Sequence, residues 1–79
     1  MATYLDLMRG GVRVLKDAGV ENPVREARLL MALAGDRSTA SLIACERDEI
    51  SDTATIARYE ALLKRRADRE PFAHIAGYK

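Results

Sequence analysis

The sequence predicts an all-α fold, a small bundle of four main helices followed by a short C-terminal helical turn. Apolar residues recur at spacings of three and four in four separate segments, which is the period of one helical face. No run of β-branched residues alternates with polar ones, so no strand is predicted. Asn, Asp, Ser, Gly and Pro separate the apolar segments, which indicates short loops.

Size and composition indicate one small domain, residues 1–79, with an aliphatic core. The chain is 48% hydrophobic but only 5% aromatic. A chain of this length buries only about 60% of its unfolded surface, so we expect marginal stability. The core predicted from helical spacing consists of Leu5, Met8, Val12, Leu15, Ala27, Leu30, Leu42, Ile43, Ile56, Tyr59, Leu63 and Ile75.

Charge, hydropathy and cysteine usage predict a cytoplasmic location without membrane or nucleic-acid partners. Thirteen Lys and Arg against twelve Asp and Glu give a net charge of +1, whereas nonspecific nucleic-acid binding usually needs a strongly basic face. No apolar run approaches the roughly 20 residues of a membrane span, and no signal peptide is visible. Cys45, the sole cysteine, predicts a buried thiol in a reducing compartment.

The first helix is predicted over residues 3–18. Thr3 is its expected N-cap, with Asp6 three residues later completing a capping box. Gly10 and Gly11 lie in its middle, where each costs up to about 1 kcal/mol relative to Ala. The pair predicts the close approach of another helix, with a bend or break as the alternative. The apolar face is Leu5, Met8, Val12 and Leu15.

The second helix is predicted to begin at Asn22-Pro23 and to end at Gly35. Asn22 is expected to cap it through its side chain, and Pro23 suits the first helical position because its missing N–H would be unpaired there anyway. The apolar stripe is Ala27, Leu30, Met31 and Ala34.

A third, shorter helix is predicted over residues 38–45, capped by Asp36 or Ser38. Its inward-facing residues are expected to be Leu42 and Ile43. The charged residues 46–49 that follow predict a solvated loop, because they lack the ligand spacing and glycine of a calcium loop.

The fourth helix is predicted from about Asp52 to Arg69, with Ser51 as its cap. Its inner edge is Ile56, Tyr59, Leu62, Leu63 and Arg66. The basic cluster at its end, including Lys64 and Arg65, suits the negative pole of the helix dipole. A partner-facing role for that cluster is the alternative.

The exit from the fourth helix is predicted at Glu70-Pro71. Proline lacks an N–H and disfavours helical geometry at the residue before it, so the helix should stop just before Pro71. Pro71 then suits the first position of a short helix through Ile75, with Glu70 able to cap it or to favour its positive end. Gly77 is expected to end that helix with a positive φ.

The last fifteen residues carry the most specific signal. They read Arg65-Arg66-Ala67-Asp68-Arg69-Glu70-Pro71-Phe72-Ala73-His74-Ile75-Ala76-Gly77-Tyr78-Lys79. This segment resembles the junction between the N-terminal helical domain and the catalytic domain of the HemK/PrmC family, S-adenosylmethionine-dependent methyltransferases that modify a glutamine of peptide-chain release factors. The positions that match the family pattern are Arg65, Arg66, Glu70, Pro71, Ala73, His74, Ile75, Gly77 and Lys79. Phe72 departs from it, because smaller aliphatic residues are common there.

The resemblance implies a substrate-recognition domain of a two-domain enzyme, with residues 70–79 starting the interdomain linker. It implies two partners, a peptide-chain release factor and the catalytic domain in cis, and S-adenosylmethionine as the cofactor of the full-length parent. The candidate partner-facing or linker residues are Arg65, Arg66, Glu70, Pro71, His74, Gly77 and Lys79.

We expect this fragment itself to be non-catalytic and to bind neither cofactor nor metal. A methyltransferase needs a Gly-rich strand-to-helix turn and an acid for the ribose, and the sequence has neither. Asn22-Pro23-Val24 lacks the second Pro and the Tyr of the family's Asn-Pro-Pro-Tyr loop. His74 is a lone histidine, without a nucleophile or second ligand beside it.

Two alternatives remain at this point. A helix-turn-helix nucleic-acid-binding domain fits the size and helix count, but the third helix offers no Arg, Lys, Asn or Gln for base edges. A free-standing helical adaptor predicts a natural stop after Lys79. A reading frame that continued into a Gly-rich βα motif would exclude it.

Overall fold

The computed structural model describes residues 2–77, which form five helices and no named strand. The helices are α1 (Tyr4–Asp17), α2 (Pro23–Gly35), α3 (Thr39–Ala44), α4 (Thr53–Ala67) and α5 (Phe72–Ala76). The predicted all-α fold class is confirmed. α2 is the central helix and packs against α1, α3 and α4, whereas α5 packs against α4. Within the described residues, every helix is too short or too polar to cross a membrane.

The start of α1 is fixed by side-chain and backbone hydrogen bonds. The Thr3 hydroxyl accepts from the N–H of Asp6 at 3.1 Å, and the Asp6 carboxylate accepts from the N–H of Thr3 at 3.2 Å, which confirms the capping box. The N–H of Leu5 donates to the carbonyl of Glu46 at 2.8 Å. The backbone of the charged loop 46–49 is therefore tied to the first turn of α1, although most of its side chains are exposed.

The glycine pair of α1 does not bend the helix, which runs unbroken from Tyr4 to Asp17. Gly11 is buried against Tyr59 and Leu63 of α4, so the predicted close approach of another helix is confirmed there. Gly10 is exposed and has no neighbour within 4 Å of an added Cβ, so the same prediction is wrong for Gly10.

The core lies between α1, α2 and α4, and its buried hydrophobic cluster is Met8, Leu15, Val20, Ala27, Leu30, Met31, Ala34, Leu42, Ile50, Tyr59 and Leu63. Ile43 was predicted to belong to it but is 50% exposed, because the short α3 packs mainly on α2 and Leu42 occupies that contact. The predicted core residues that are only half-buried are Leu5, Val12, Ile56 and Ile75. The loop residues Val20 and Ile50, which close the core, were missed.

The starts of α2 and α4 differ from the predictions. Asn22 precedes α2 but is left-handed, with φ 53°, and its side chain makes no capping bond. Asp52, not Ser51, caps α4, because its carboxylate accepts the N–H two residues on at 3.0 Å and the hydroxyl three residues on at 2.8 Å. For α3 the prediction of Asp36 or Ser38 as the cap is confirmed for Ser38, whereas Asp36 is the left-handed C-cap of α2.

Candidate functional site

The end of α4 is closed by a backbone turn, and the helix ends two residues before its predicted end at Arg69. The helix ends at Ala67, and Arg69 adopts φ 74°. The N–H of Glu70 donates to the carbonyl of Arg65 at 3.2 Å, and that of Arg69 donates three residues back at 3.1 Å. This is a Schellman turn with Arg in the position that glycine usually takes. Pro71 therefore follows a helix end that this turn already closes.

Residues 70–77, which we call the exit segment, follow this turn and begin in extended geometry at Pro71. Pro71 has φ −61° and ψ 143° and stands at the N-cap of α5, one position before the predicted first helical position. Its carbonyl accepts two N–H groups of α5 at 3.0 and 3.1 Å, whereas Glu70 makes no capping bond to this helix. Gly77 ends α5 with φ 77°, as predicted. Lys79 lies outside the described residues.

Arg66 joins α4, α2 and the exit segment. Its Nε donates to Oε1 of Glu26 at 2.5 Å and its Nη2 to Oε2 at 3.2 Å, a bidentate pair whose side chains are 20% and 15% exposed. Its Nη1 donates to the carbonyl of Glu70 at 3.4 Å. The hydrogen bond with Glu26 raises the pKa of Arg66. All three guanidinium nitrogens are thus used inside the domain.

A second, more exposed network joins Arg65, Glu70 and His74. The Nε of Arg65 donates to Oε2 of Glu70 at 2.5 Å, and Nδ1 of His74 lies 3.3 Å from Oε1. The hydrogen bond from Arg65 holds the pKa of Glu70 below its usual value. The Arg65 side chain is 46% exposed and that of His74 73%, so both are accessible to solvent.

Three of the five residues with positive φ in the described part of the chain lie beside these networks. Gly19, Asn22 and Arg69 have φ 81°, 53° and 74° and line one shallow pocket together with Glu26 and Arg66. Left-handed geometry costs non-glycine residues roughly 1–2 kcal/mol, and such strain tends to collect at functional sites. We call this end of the bundle, where α1 and α4 end and α2 begins, the exit end. It is the candidate functional site.

The exit end offers charged groups and hydrogen bonds that can orient a chain. Among residues 2–77, no group of His, Cys, Asp and Glu could hold a metal ion. Cys45 is half-buried and its Sγ accepts from Nη1 of Arg37 at 3.3 Å, so the predicted buried thiol is wrong.

Sequence reasoning grouped four residues that the structure brings together, namely Arg65, Arg66, Glu70 and His74. It missed Glu26, which is 40 residues from Arg66 in sequence and had no local signal beyond an acid in the first turn of a helix. It also missed Arg69, since nothing in its residue type favours a positive φ.

Comparison with known proteins gives consistent matches. The family described as PrmC N-terminal domain matches residues 6–77. A release factor glutamine methyltransferase of Bifidobacterium longum (strain NCC 2705) is 35% identical over 78 residues, covering 92% of this chain and 26% of that protein. One of Caulobacter vibrioides (strain ATCC 19089 / CIP 103742 / CB 15) is 38% identical over 65 residues, covering 82% and 22%. The chain spans about a quarter of these curated relatives. No solved structure matches it.

Proposed function

The chain belongs to the PrmC N-terminal domain family, and from this we propose that it is the release-factor-recognition domain of a protein-(glutamine-N5) methyltransferase. The observation that carries the proposal is the family match over residues 6–77, which includes all of α2 to α5 and the exit segment. The full-length parent would methylate the glutamine of a Gly-Gly-Gln loop in a peptide-chain release factor, with S-adenosylmethionine as methyl donor and in the cytoplasm.

The residues of this chain do not fit S-adenosylmethionine. A pocket that binds this cofactor needs a Gly-rich turn between a strand and a helix. In the part of the chain that the structure describes, the glycines stand inside α1 or at helix ends: Gly10, Gly11, Gly19, Gly35 and Gly77. The catalytic domain in cis would therefore hold the cofactor, and this domain would contribute binding and orientation.

The exit end supports a role in orientation. Arg66 ties the carbonyl of Glu70 to Glu26 on the central helix, so the first linker residue is anchored to the bundle. Residues 70–79 would then leave the domain in one direction, and a release factor bound to the bundle would be presented at a fixed distance from the catalytic domain. Arg65 and His74, the exposed members of the network, would face the neighbouring domain or the linker.

The alternative functions gain no support. A recognition helix must reach base edges in the major groove. Here α3 has only six residues, about 9 Å, and it carries no Arg, Lys, Asn or Gln. A free-standing helical adaptor has no feature in its favour beyond the helical fold itself.

The proposed function is tested with the full-length parent, S-adenosylmethionine carrying a labelled methyl group, and an intact release factor. Mass spectrometry should locate one added methyl group on the glutamine of the Gly-Gly-Gln loop, and replacing that glutamine should abolish labelling. Absence of labelling, or labelling at another residue, would refute the proposal.

A further inference from the structure

A groove between α1 and α2 lies apart from the exit end. Its volume is about 250 Å³, and its lining residues are Leu5, Met8, Arg9, Val12, Val24, Arg28 and Glu46. Val24 is 56% exposed, the most exposed of the large hydrophobic residues in the described part of the chain. Met8, buried in the core, lies at the junction between groove and bundle. The groove is therefore preformed by two packed helices and has an apolar lining open to solvent.

The charges at the rim of the groove are mainly positive. Arg9 belongs to α1 and Arg28 to α2, so a guanidinium stands on each of the two helices that form the groove. Among residues 2–77 neither is ion-paired, whereas Arg65 and Arg66 both are. Arg9 does lie near enough to Asp6 to help its hydrogen bonds with Thr3 lower the pKa of Asp6. Arg13 follows Arg9 by one turn on the same face of α1.

One acid, Glu46, lines the groove, and its carbonyl fixes the loop to the start of α1. The groove thus combines an apolar lining, where a side chain can be buried, with unpaired cations that favour carboxylates on either side of it. Its complement is a helix or loop that presents an apolar side chain flanked by acidic residues.

We propose that this groove is the docking site for such an acidic, apolar-anchored segment of the release factor. The inference rests on the proposed function, since it assigns the recognition step to a particular surface. The apolar anchor would be buried against Val12 and Val24, and the flanking carboxylates would pair with Arg9 and Arg28. Binding would then be salt-dependent, because the charges at the rim remain partly in solvent.

The experiment uses the full-length parent with two substrates, an intact release factor and a short Gly-Gly-Gln peptide that is too small to reach the groove. Val24→Asp and Arg9→Glu alter the groove. Ile43→Asp and Arg58→Glu are matched controls, because they make the same kinds of change at exposed positions of α3 and α4. Each groove variant should raise KM for the release factor by about tenfold or more, as expected at the centre of an interface.

Peptide methylation should not change in any of the four variants, and circular dichroism and thermal unfolding of the isolated helical domain should show that each variant is folded. Arg9→Gln and Arg28→Gln together should reduce the dependence of the release-factor KM on salt. Unchanged KM in the groove variants would overturn the docking site while leaving the proposed function intact. An equal loss on the peptide would also overturn it, since the groove would then serve the catalytic domain. A wild-type parent that fails to methylate the release factor would overturn both proposals.

Discussion

Gly11 of α1 and Tyr59 of α4 are in direct contact, and a Cβ added to Gly11 would overlap the Tyr59 hydroxyl and lie 3.0 Å from its Cζ. Tyr59 cannot easily move away, because its hydroxyl donates to the carbonyl of Ala27 at 3.2 Å and its ring is fully buried. The same burial raises the pKa of Tyr59. Helices α1, α2 and α4 thus meet at Gly11, where a larger residue would overlap Tyr59.

Replacing each of the adjacent glycines Gly10 and Gly11 by alanine should change the free energy of unfolding in opposite directions. Gly11→Ala should lower the free energy of unfolding by about 1–3 kcal/mol through overpacking. Gly10→Ala meets open space and should raise it by up to about 1 kcal/mol, since alanine is the better helix former. Chemical denaturation of the isolated domain measures both. If Gly11→Ala were also stabilising, the helix contact described here would be wrong.

The pairing of Arg66 with Glu26 predicts energetic coupling between α4 and α2. A double-mutant cycle with Arg66→Ala and Glu26→Ala should give an interaction energy of roughly 0.5–3 kcal/mol, as for residues in one ion-pair network. Arg58→Ala combined with Glu26→Ala is the control, because Arg58 is exposed on α4 and forms no ion pair among the described residues. Additive effects for Arg66 and Glu26 would show that the pair does not join the helices.

The Glu70 network predicts a pH dependence of stability. The pKa of Glu70 is lowered in the folded state from 4.5, mainly by the hydrogen bond from Arg65. Its contribution is therefore present above that pH and is lost as the pH falls through the folded pKa.

Glu70→Gln should consequently have a lower free energy of unfolding than the wild type at about pH 7, and the gap should close as the pH falls through the folded pKa of Glu70, below which both side chains are neutral. Asp6 and Asp52, whose pKa values are also lowered by hydrogen bonds, are present in both proteins and do not affect the comparison. Thermal unfolding across this pH range measures the gap. A gap that stays constant would contradict the ion-pair assignment.

Sequence reasoning succeeded where the determinants are local. The Thr3–Asp6 capping box and the positive φ of Gly77 involve neighbouring residues, and both are present. Sequence reasoning failed where contacts between residues far apart in sequence determine the position of a side chain. Ile43 is exposed because Leu42 alone fills the contact with α2, and the Arg66–Glu26 pair joins residues 40 positions apart.

The stop of α4 lies between these cases. Pro71 correctly indicated that the helix ends nearby, but the terminating turn uses Arg69 in a left-handed geometry that its residue type does not favour. The groove between α1 and α2 was also not predicted, because its two walls come from separate helices whose relative placement no sequence pattern gives.

The exit segment should affect the large substrate only. Gly77 has φ 77°, and no atom of residues 2–77 lies within 4 Å of an added Cβ, so within this domain a substitution there acts through the backbone. In the full-length parent, Gly77→Val should strain this turn, and Pro71→Ala should loosen the extended segment before α5. Release-factor methylation should fall about tenfold or more, because the bound release factor would be misplaced relative to the catalytic domain, while peptide methylation changes little.

Gly77→Asn is the matched control, because asparagine tolerates left-handed geometry and should largely preserve release-factor methylation. Equal loss on both substrates, or no loss on either, would reject the idea that residues 70–77 position the two domains.

The central claim is that this helical domain recognises the release factor, and removing it tests that claim most directly. The full-length parent and a version lacking residues 1–69 would be compared by kcat/KM on an intact release factor and on the Gly-Gly-Gln peptide. We predict a loss of about a hundredfold on the release factor, equivalent to about 2.8 kcal/mol of binding energy, with peptide methylation retained. Retention of full activity on the release factor, or an equal loss on both substrates, would contradict the claim.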